Sequence, residues 1–276
     1  MNVASKLAGF AVVLALVFAG AALAGSQLDV HPGKTATEKP GMSAMDAPQP
    51  VRGLAVSEKG LTLELARRTA PQGSPFALAF RIVDGRGQTV RDFDVEHTKR
   101  MHLIVVRRDM TGFQHLHPSE NADGTWSLPV TLPEAGTYRV FADFSAGQTP
   151  YTLADDIAVD GSMRSQPLTA PAGAVDVDGL RVALVEGATK AGAESELTFS
   201  VTRAGRPVAL ADYLGAKGHL VALRQGDLAF LHVHPDENRL KFMATFPTAG
   251  TYRLFLQFKT TDGRLHTAAF TQEVTR

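Results

Sequence analysis

His102-Leu103-Ile104-Val105-Val106 and, after a turn, Phe113-Gln114-His115-Leu116-His117-Pro118 decide how this chain is read. Two short apolar runs rich in β-branched residues, divided by turn residues, spell a β-hairpin. The pattern returns as His219-Leu220-Val221-Ala222-Leu223 and Phe230-Leu231-His232-Val233-His234-Pro235. Six of the nine histidines fall in these two copies at identical internal spacing.

Working outward, further matches keep their order. Gly60-Leu61-Thr62-Leu63 answers Gly179-Leu180-Arg181-Val182, Phe76-Ala77-Leu78-Ala79-Phe80 answers Ser195-Glu196-Leu197-Thr198-Phe199, and Ala135-Gly136-Thr137-Tyr138-Arg139 answers Ala249-Gly250-Thr251-Tyr252-Arg253. Ordered self-similarity over about a hundred residues marks a duplicated domain, here over 51–160 and 174–276. Ser165 to Gly173, with Pro167 and Pro171, reads as the linker between them. Short alternating segments bounded by glycine and proline turns predict an all-β chain of two tandem β-sandwich domains. The domains are expected to be immunoglobulin-like, with a cupredoxin-like sandwich as the alternative. Tyr138 and Tyr252 fit the sheet-corner tyrosine of immunoglobulin-like folds, whose hydroxyl bonds backbone.

Before the domains, Leu7 to Ala24 is apolar or small throughout, with Lys6 ahead of it and Ala22-Leu23-Ala24 at its end. Residues 1–24 are therefore read as a signal peptide or membrane anchor, placing the rest outside the cytoplasm, with membrane contact only through this segment. Residues 25–50 carry four prolines and no hydrophobic period, as a disordered linker does. His31, Met42 and Met45 lie in it, and such ligands suit Cu(I).

Composition narrows the function. Lysine plus arginine balances aspartate plus glutamate at 28 each, so no basic footprint for nucleic acid exists. With no cysteine, thiolate zinc sites, iron–sulfur clusters and thiolate copper centres are excluded. No nucleophile elbow or phosphate-binding glycine loop appears. Asp155-Asp156 are strand neighbours that point to opposite faces. The chain is read as a non-enzyme.

Register carries the chemistry. Gly226-Asp227 suits a two-residue hairpin turn, which pairs Leu223 with Phe230, Val221 with His232 and His219 with His234. The same register in the first copy sets Val106 opposite Phe113, Ile104 opposite His115 and His102 opposite His117. Paired residues point the same way, so His102, His115 and His117 are expected on one face, and likewise His219, His232 and His234. Three imidazoles brought together suit copper or zinc, not Mg²⁺ or Ca²⁺. The competing expectation is structural. Leu103, Val105, Leu116, Leu220, Leu231 and Val233 make the opposite face apolar as well, so the histidines can be packed and hydrogen-bonded, to Glu120 for instance. His97 and His266 are read as surface or edge residues with some claim to be a fourth ligand.

Through Phe93-Asp94-Val95-Glu96-His97, the two hairpins, and Tyr213-Leu214-Gly215-Ala216 leading into Gly218-His219, the chain resembles a family of uncharacterised bacterial exported or membrane-anchored proteins with two β-sandwich repeats. The linkers of that family, rich in His and Met, imply copper handling. Here the linker holds only His31, Met42 and Met45, which leaves the hairpin histidines as the main candidates. The expected function is an extracytoplasmic copper- or zinc-binding protein that buffers, senses or carries the ion. The alternative is a tandem immunoglobulin-like module that meets another envelope protein and whose histidines are structural.

Overall fold

The computed structural model describes Phe18 and residues 51–276 other than 187, 188, 232 and 237; of Glu186 and His234 it describes the backbone alone. The segments read as leader and linker, with His31, Met42 and Met45, lie, Phe18 apart, outside the described residues. The described residues from Val51 onward form one compact unit.

That unit is all-β, and its described strands form four sheets. In the first repeat one sheet runs Ser57–Glu58, Leu61–Leu65, Pro75–Asp84, Trp126–Thr131, Ser119–Glu120. Its partner runs Thr69–Ala70, Thr149–Val159, Gly136–Ala146, His102–Arg107, Gln114–Leu116. The second repeat builds the same two layers. One is Ala174–Val177, Leu180–Glu186, Glu194–Arg203, Lys241–Thr245, His234–Pro235, with Arg206–Pro207 paired to Glu194–Arg203. The other centres on Gly250–Thr260, flanked by Leu265–Val274 on one edge and by Leu210–Ala211 and Gly218–Arg224 on the other, with Phe230–Leu231 beyond.

Alternation explains the layers. Along Pro75–Asp84 the buried residues include Phe76, Leu78, Phe80 and Ile82, every second side chain, as a strand with one face on a core requires. They meet Leu103, Val105, Val140, Ala142 and Phe144 from the facing sheet. Leu180, Val182, Leu197 and Phe199 meet Leu220, Ala222, Leu254 and Leu256 in the second sandwich. Each corner tyrosine donates its hydroxyl to a carbonyl four residues upstream, Tyr138 to Glu134 and Tyr252 to Thr248, at 3.0 Å in both.

His102–Arg107 is buried at every position, because its outer face is covered too. Ile104, Val106, Phe141 and Ala154 of the first repeat pack against Val221, Leu223, Phe230 and Phe255 of the second. Phe113 stacks on Phe255 with ring centroids 4.0 Å apart, and its counterpart Phe230 packs against Phe141 at 5.5 Å. Equivalent residues thus contact each other's partners, the arrangement of a two-fold dimer interface made within one chain. Where the chain enters the first repeat it crosses this seam: Phe230 N–H donates to Arg52 O and Gly53 N–H to Thr152 O.

Near the turns the hairpin register matches the expectation. Ile104 pairs with His115 and Leu103 with Leu116; Leu223 pairs with Phe230 and Ala222 with Leu231. The second turn, however, is not the two-residue Gly226-Asp227 turn. Arg224 N–H bonds Ala229 O, so residues 225–228 form a four-residue loop, with Leu228 at φ 61°. Arg224 holds it by gripping Asp227 with Nε and Nη2, as Arg107 grips Asp109 in the first loop. Widening the loop by one residue on each strand leaves the register unchanged.

Candidate metal centre

His102 belongs to a strand whose outward face meets the second sandwich, and the hairpin register brings His115 and His117 to that same face. One nitrogen from each of His102, His115 and His117 lies within 4.8 Å of the other two, close enough to hold one metal ion. Ring centroids are 5.4 Å apart for His102–His115, 5.0 Å for His102–His117 and 4.8 Å for His115–His117. Imidazoles sharing an ion tetrahedrally at a bond length of about 2.0 Å have centroids about 5.2 Å apart. The three rings approach that spacing.

Hydrogen-bond partners fix the tautomers. His102 Nε2 faces the carbonyl of Glu96 at 3.1 Å; a carbonyl only accepts, so Nε2 carries the hydrogen and Nδ1 is left with its lone pair. His115 Nδ1 donates to Gln257 Oε1 at 2.8 Å, while Gln257 Nε2 donates to Thr267 Oγ1 at 3.2 Å. His115 Nε2 therefore also bears a lone pair. It faces His102 Nδ1 across 3.2 Å with no hydrogen between them in the neutral rings. His117 Nε2 stands 3.3 Å from the same Nδ1.

Burial keeps His115 and His117 neutral. Burial pushes His115 down to about 3, helped by His102 and His117. Burial, with His102 and Lys99, pushes His117 down to about 4. Neutral imidazole with a free lone pair is the form that ligates metal.

The second triplet is arranged differently. His219 is buried and donates Nε2–H to Tyr213 O at 2.9 Å, repeating the bond from His102 to Glu96 O. Burial, with His97 and His102 nearby, lowers it to about 4. Its ring lies 6.2 Å from His115, at the edge of the first cluster. His232 lies outside the described residues, as does the side chain of His234. The backbone corrects the expected facing of His219 by His234: after Leu231 the chain crosses to the other sheet, where His234 pairs with Met243. In the first repeat the corresponding crossing comes later, where Ser119 pairs with Ser127.

His97 sits in the turn closed by the bridge between Glu96 and Lys99, with its ring 5.2 Å from His219 and 6.2 Å from His102. His266 lies on the edge strand Leu265–Val274 but is no surface residue. It is 2% exposed, donates Nδ1–H to Asp178 Oδ2 at 2.7 Å and stacks on Phe258. Phe258 belongs to the interior core, on the face of the sheet opposite Gln257, so His266 is walled off from the cluster. Glu120 is engaged by Arg91 and Arg100 at 2.8 and 2.9 Å and takes no part in it. Asp155 pairs with Arg68, and Asp156 with Arg108 and Arg139.

Two polar residues near the cluster escaped the sequence reading. Gln257 of the second repeat orients His115. Its counterpart Asp143 pairs in register with His102 and accepts from Thr152 Oγ1 at 2.6 Å, beside the cavity. Strand alternation holds the signal for both: Val140, Ala142 and Phe144 face the sandwich core, which sends Phe141 and Asp143 outward to the seam.

The fold and this cluster define a class: a duplicated β-sandwich protein with a histidine triad at the junction of its repeats. The chain belongs to the family described as "Domain of unknown function (DUF8832)", which matches it twice, over residues 55–161 and 175–276. No curated protein sequence matches it. Among solved structures it is similar to Salmonella alpha-2-macroglobulin reacted with methylamine, at 15% identity and a TM-score of 0.29, over 83% of this chain and 15% of that one. It is also similar to the Escherichia coli adhesin FdeC, at 16% identity and a TM-score of 0.28, over 80% of this chain and 66% of that one. The Yersinia pseudotuberculosis adhesin InvE follows at 14% and 0.23, over 76% and 58%. The chain thus spans about 15% of the first of these structures and less than two thirds of the other two.

Proposed function

We propose that this chain is an extracytoplasmic metal-binding protein that takes up copper or zinc through His102, His115 and His117, in a binding role and not a catalytic one. One observation carries the reading. His102 Nδ1 and His115 Nε2 face each other at 3.2 Å, each with its hydrogen committed to the ring's other nitrogen. Two ring nitrogens on a tetrahedral ion at about 2.0 Å stand about 3.3 Å apart, so an ion between these two meets both at ligation distance. Histidine-only donors favour Cu or Zn over harder cations. Export rests on the apolar leader Leu7 to Ala24 and its Ala-x-Ala end.

The competing reading, a structural tandem module of the envelope, draws on the apolar seam, which joins the repeats through Phe113, Phe141, Phe230 and Phe255 without an ion. Metal analysis of untagged protein separates the two readings. The native chain is expected to retain one tight equivalent of copper or zinc, and the double variant His115→Ala/His117→Ala to lose it while staying folded. Equal metal content in both, or none in either, would sink the metal reading.

A further inference from the structure

Outside the triad, among the described residues, one more pair of imidazoles stands at ligation spacing. His97 and His219 have centroids 5.2 Å apart with ring planes at 81°, against about 5.2 Å for two rings sharing a tetrahedral ion. One comes from each repeat. His219 Nε2 is committed to Tyr213 O, so its Nδ1 is the nitrogen left for a ligand, as at His102.

This pair adjoins the triad. His97 is 6.2 Å from His102, and His219 is 6.2 Å from His115. A cavity of about 40 Å³ joins them, half of its lining apolar and the other half Glu96, His97, His102, His115, Asp143 and His219. That is room for an ion and a water or two. His102 and His219 are buried and His97, His115 and His117 half-buried, and His97 lies in a loop whose next residues, Thr98 to Arg100, are exposed. An ion entering from this loop meets His97 and His219 before the triad.

We propose that His97 and His219 form a second, weaker position for the same copper or zinc ion, and that this position loads the triad. It rests on the reading of the triad as a metal site. Two imidazoles hold an ion less tightly than three, and they release it over a few ångströms to a better ligand set.

The second repeat supplies the test variant. At the place of His97 it carries Leu214, in the same left-handed conformation, φ 54° against 47°, so His97→Leu keeps the loop. Titration of the full chain with Zn(II), and anaerobically with Cu(I), is expected to show one tight equivalent and one at least tenfold weaker. In His97→Leu the weak equivalent should vanish, and stopped-flow loading of the tight one should slow by tenfold or more. In His115→Ala the tight equivalent should vanish and the weak one persist. A native chain that saturates at one tight equivalent, lost in His115→Ala and loaded at an unchanged rate in His97→Leu, overturns this proposal alone. A native chain that binds neither ion overturns the triad reading with it.

Discussion

His115 of the first sandwich donates its Nδ1 hydrogen to Gln257 Oε1 of the second across 2.8 Å. A residue from one repeat thus sets the tautomer of a ligand candidate in the other, and such outer partners tune a metal site nearly as strongly as the ligands. Gln257→Leu should weaken copper or zinc binding about tenfold or more, and Gln257→Glu, which still accepts from Nδ1–H, should restore most of it. Competition titration against a chelator of known affinity reads both. Unchanged affinity in the leucine variant would show that packing alone orients His115.

Acid should destabilise the metal-free protein. His115 and His117 are held at about 3 and 4 in the folded chain, against 6.5 for an ordinary histidine. Below about 6.5 the unfolded chain takes up protons that the folded one refuses, so unfolding becomes easier as pH falls. The loss starts near pH 6.5 and levels off once the folded cluster itself protonates. Thermal melts from pH 7.5 to 4 should show a declining midpoint, with a shallower slope in His115→Gln, which cannot charge. Metal binding should weaken over the same range, because protons compete for the ligand nitrogens.

Gly53 tests the seam between the repeats. It adopts φ +71°, and a Cβ there would lie 2.7 Å from Phe230 Cβ and 2.8 Å from Phe141 Cε1. Gly53→Ala therefore meets a strained backbone and a tight contact, together about 2–4 kcal/mol. Gly60→Ala is the control, with φ +81° and nothing within 4 Å; it should cost only about 1 kcal/mol. Urea denaturation should show the larger loss at Gly53. Equal losses would mean that the seam yields locally.

Much of this fold is legible from local rules. Alternation in Phe76-Ala77-Leu78-Ala79-Phe80 gives the strand and its buried face, and the hairpin register follows from pairing parity. That parity survives even though the turn at residues 225–228 is twice the expected length. What local rules do not carry is the meeting of the repeats. Ile104 and Val221 look like ordinary strand residues until one sandwich covers the other, and only then do His219 and Gln257 come beside the first hairpin. The crossing of the chain between sheets at Leu231 is equally silent in sequence, since His234-Pro235 repeats His117-Pro118 yet pairs with Phe242 and Met243.

His266 separates structural from ligand histidines. Its ring is 2% exposed, stacked on Phe258, with Nδ1–H on Asp178 Oδ2 at 2.7 Å and Nε2 3.0 Å from Thr260 Oγ1. Asp178 reaches it from the turn before Leu180–Glu186, so the contact ties the first and last strands of the second sandwich. Asp178→Ala removes the acceptor and leaves a buried N–H unpaired, at a cost of about 1–3 kcal/mol. His266→Phe removes the polar ring altogether and fills the space beside Phe258, so it should cost less than the aspartate variant. Neither change touches the face that carries His102, His115 and His117, and both variants should keep the native metal stoichiometry. Denaturation measured beside metal titration on the same samples decides the point. A loss of metal in His266→Phe without loss of folding would place this histidine in the ion's path.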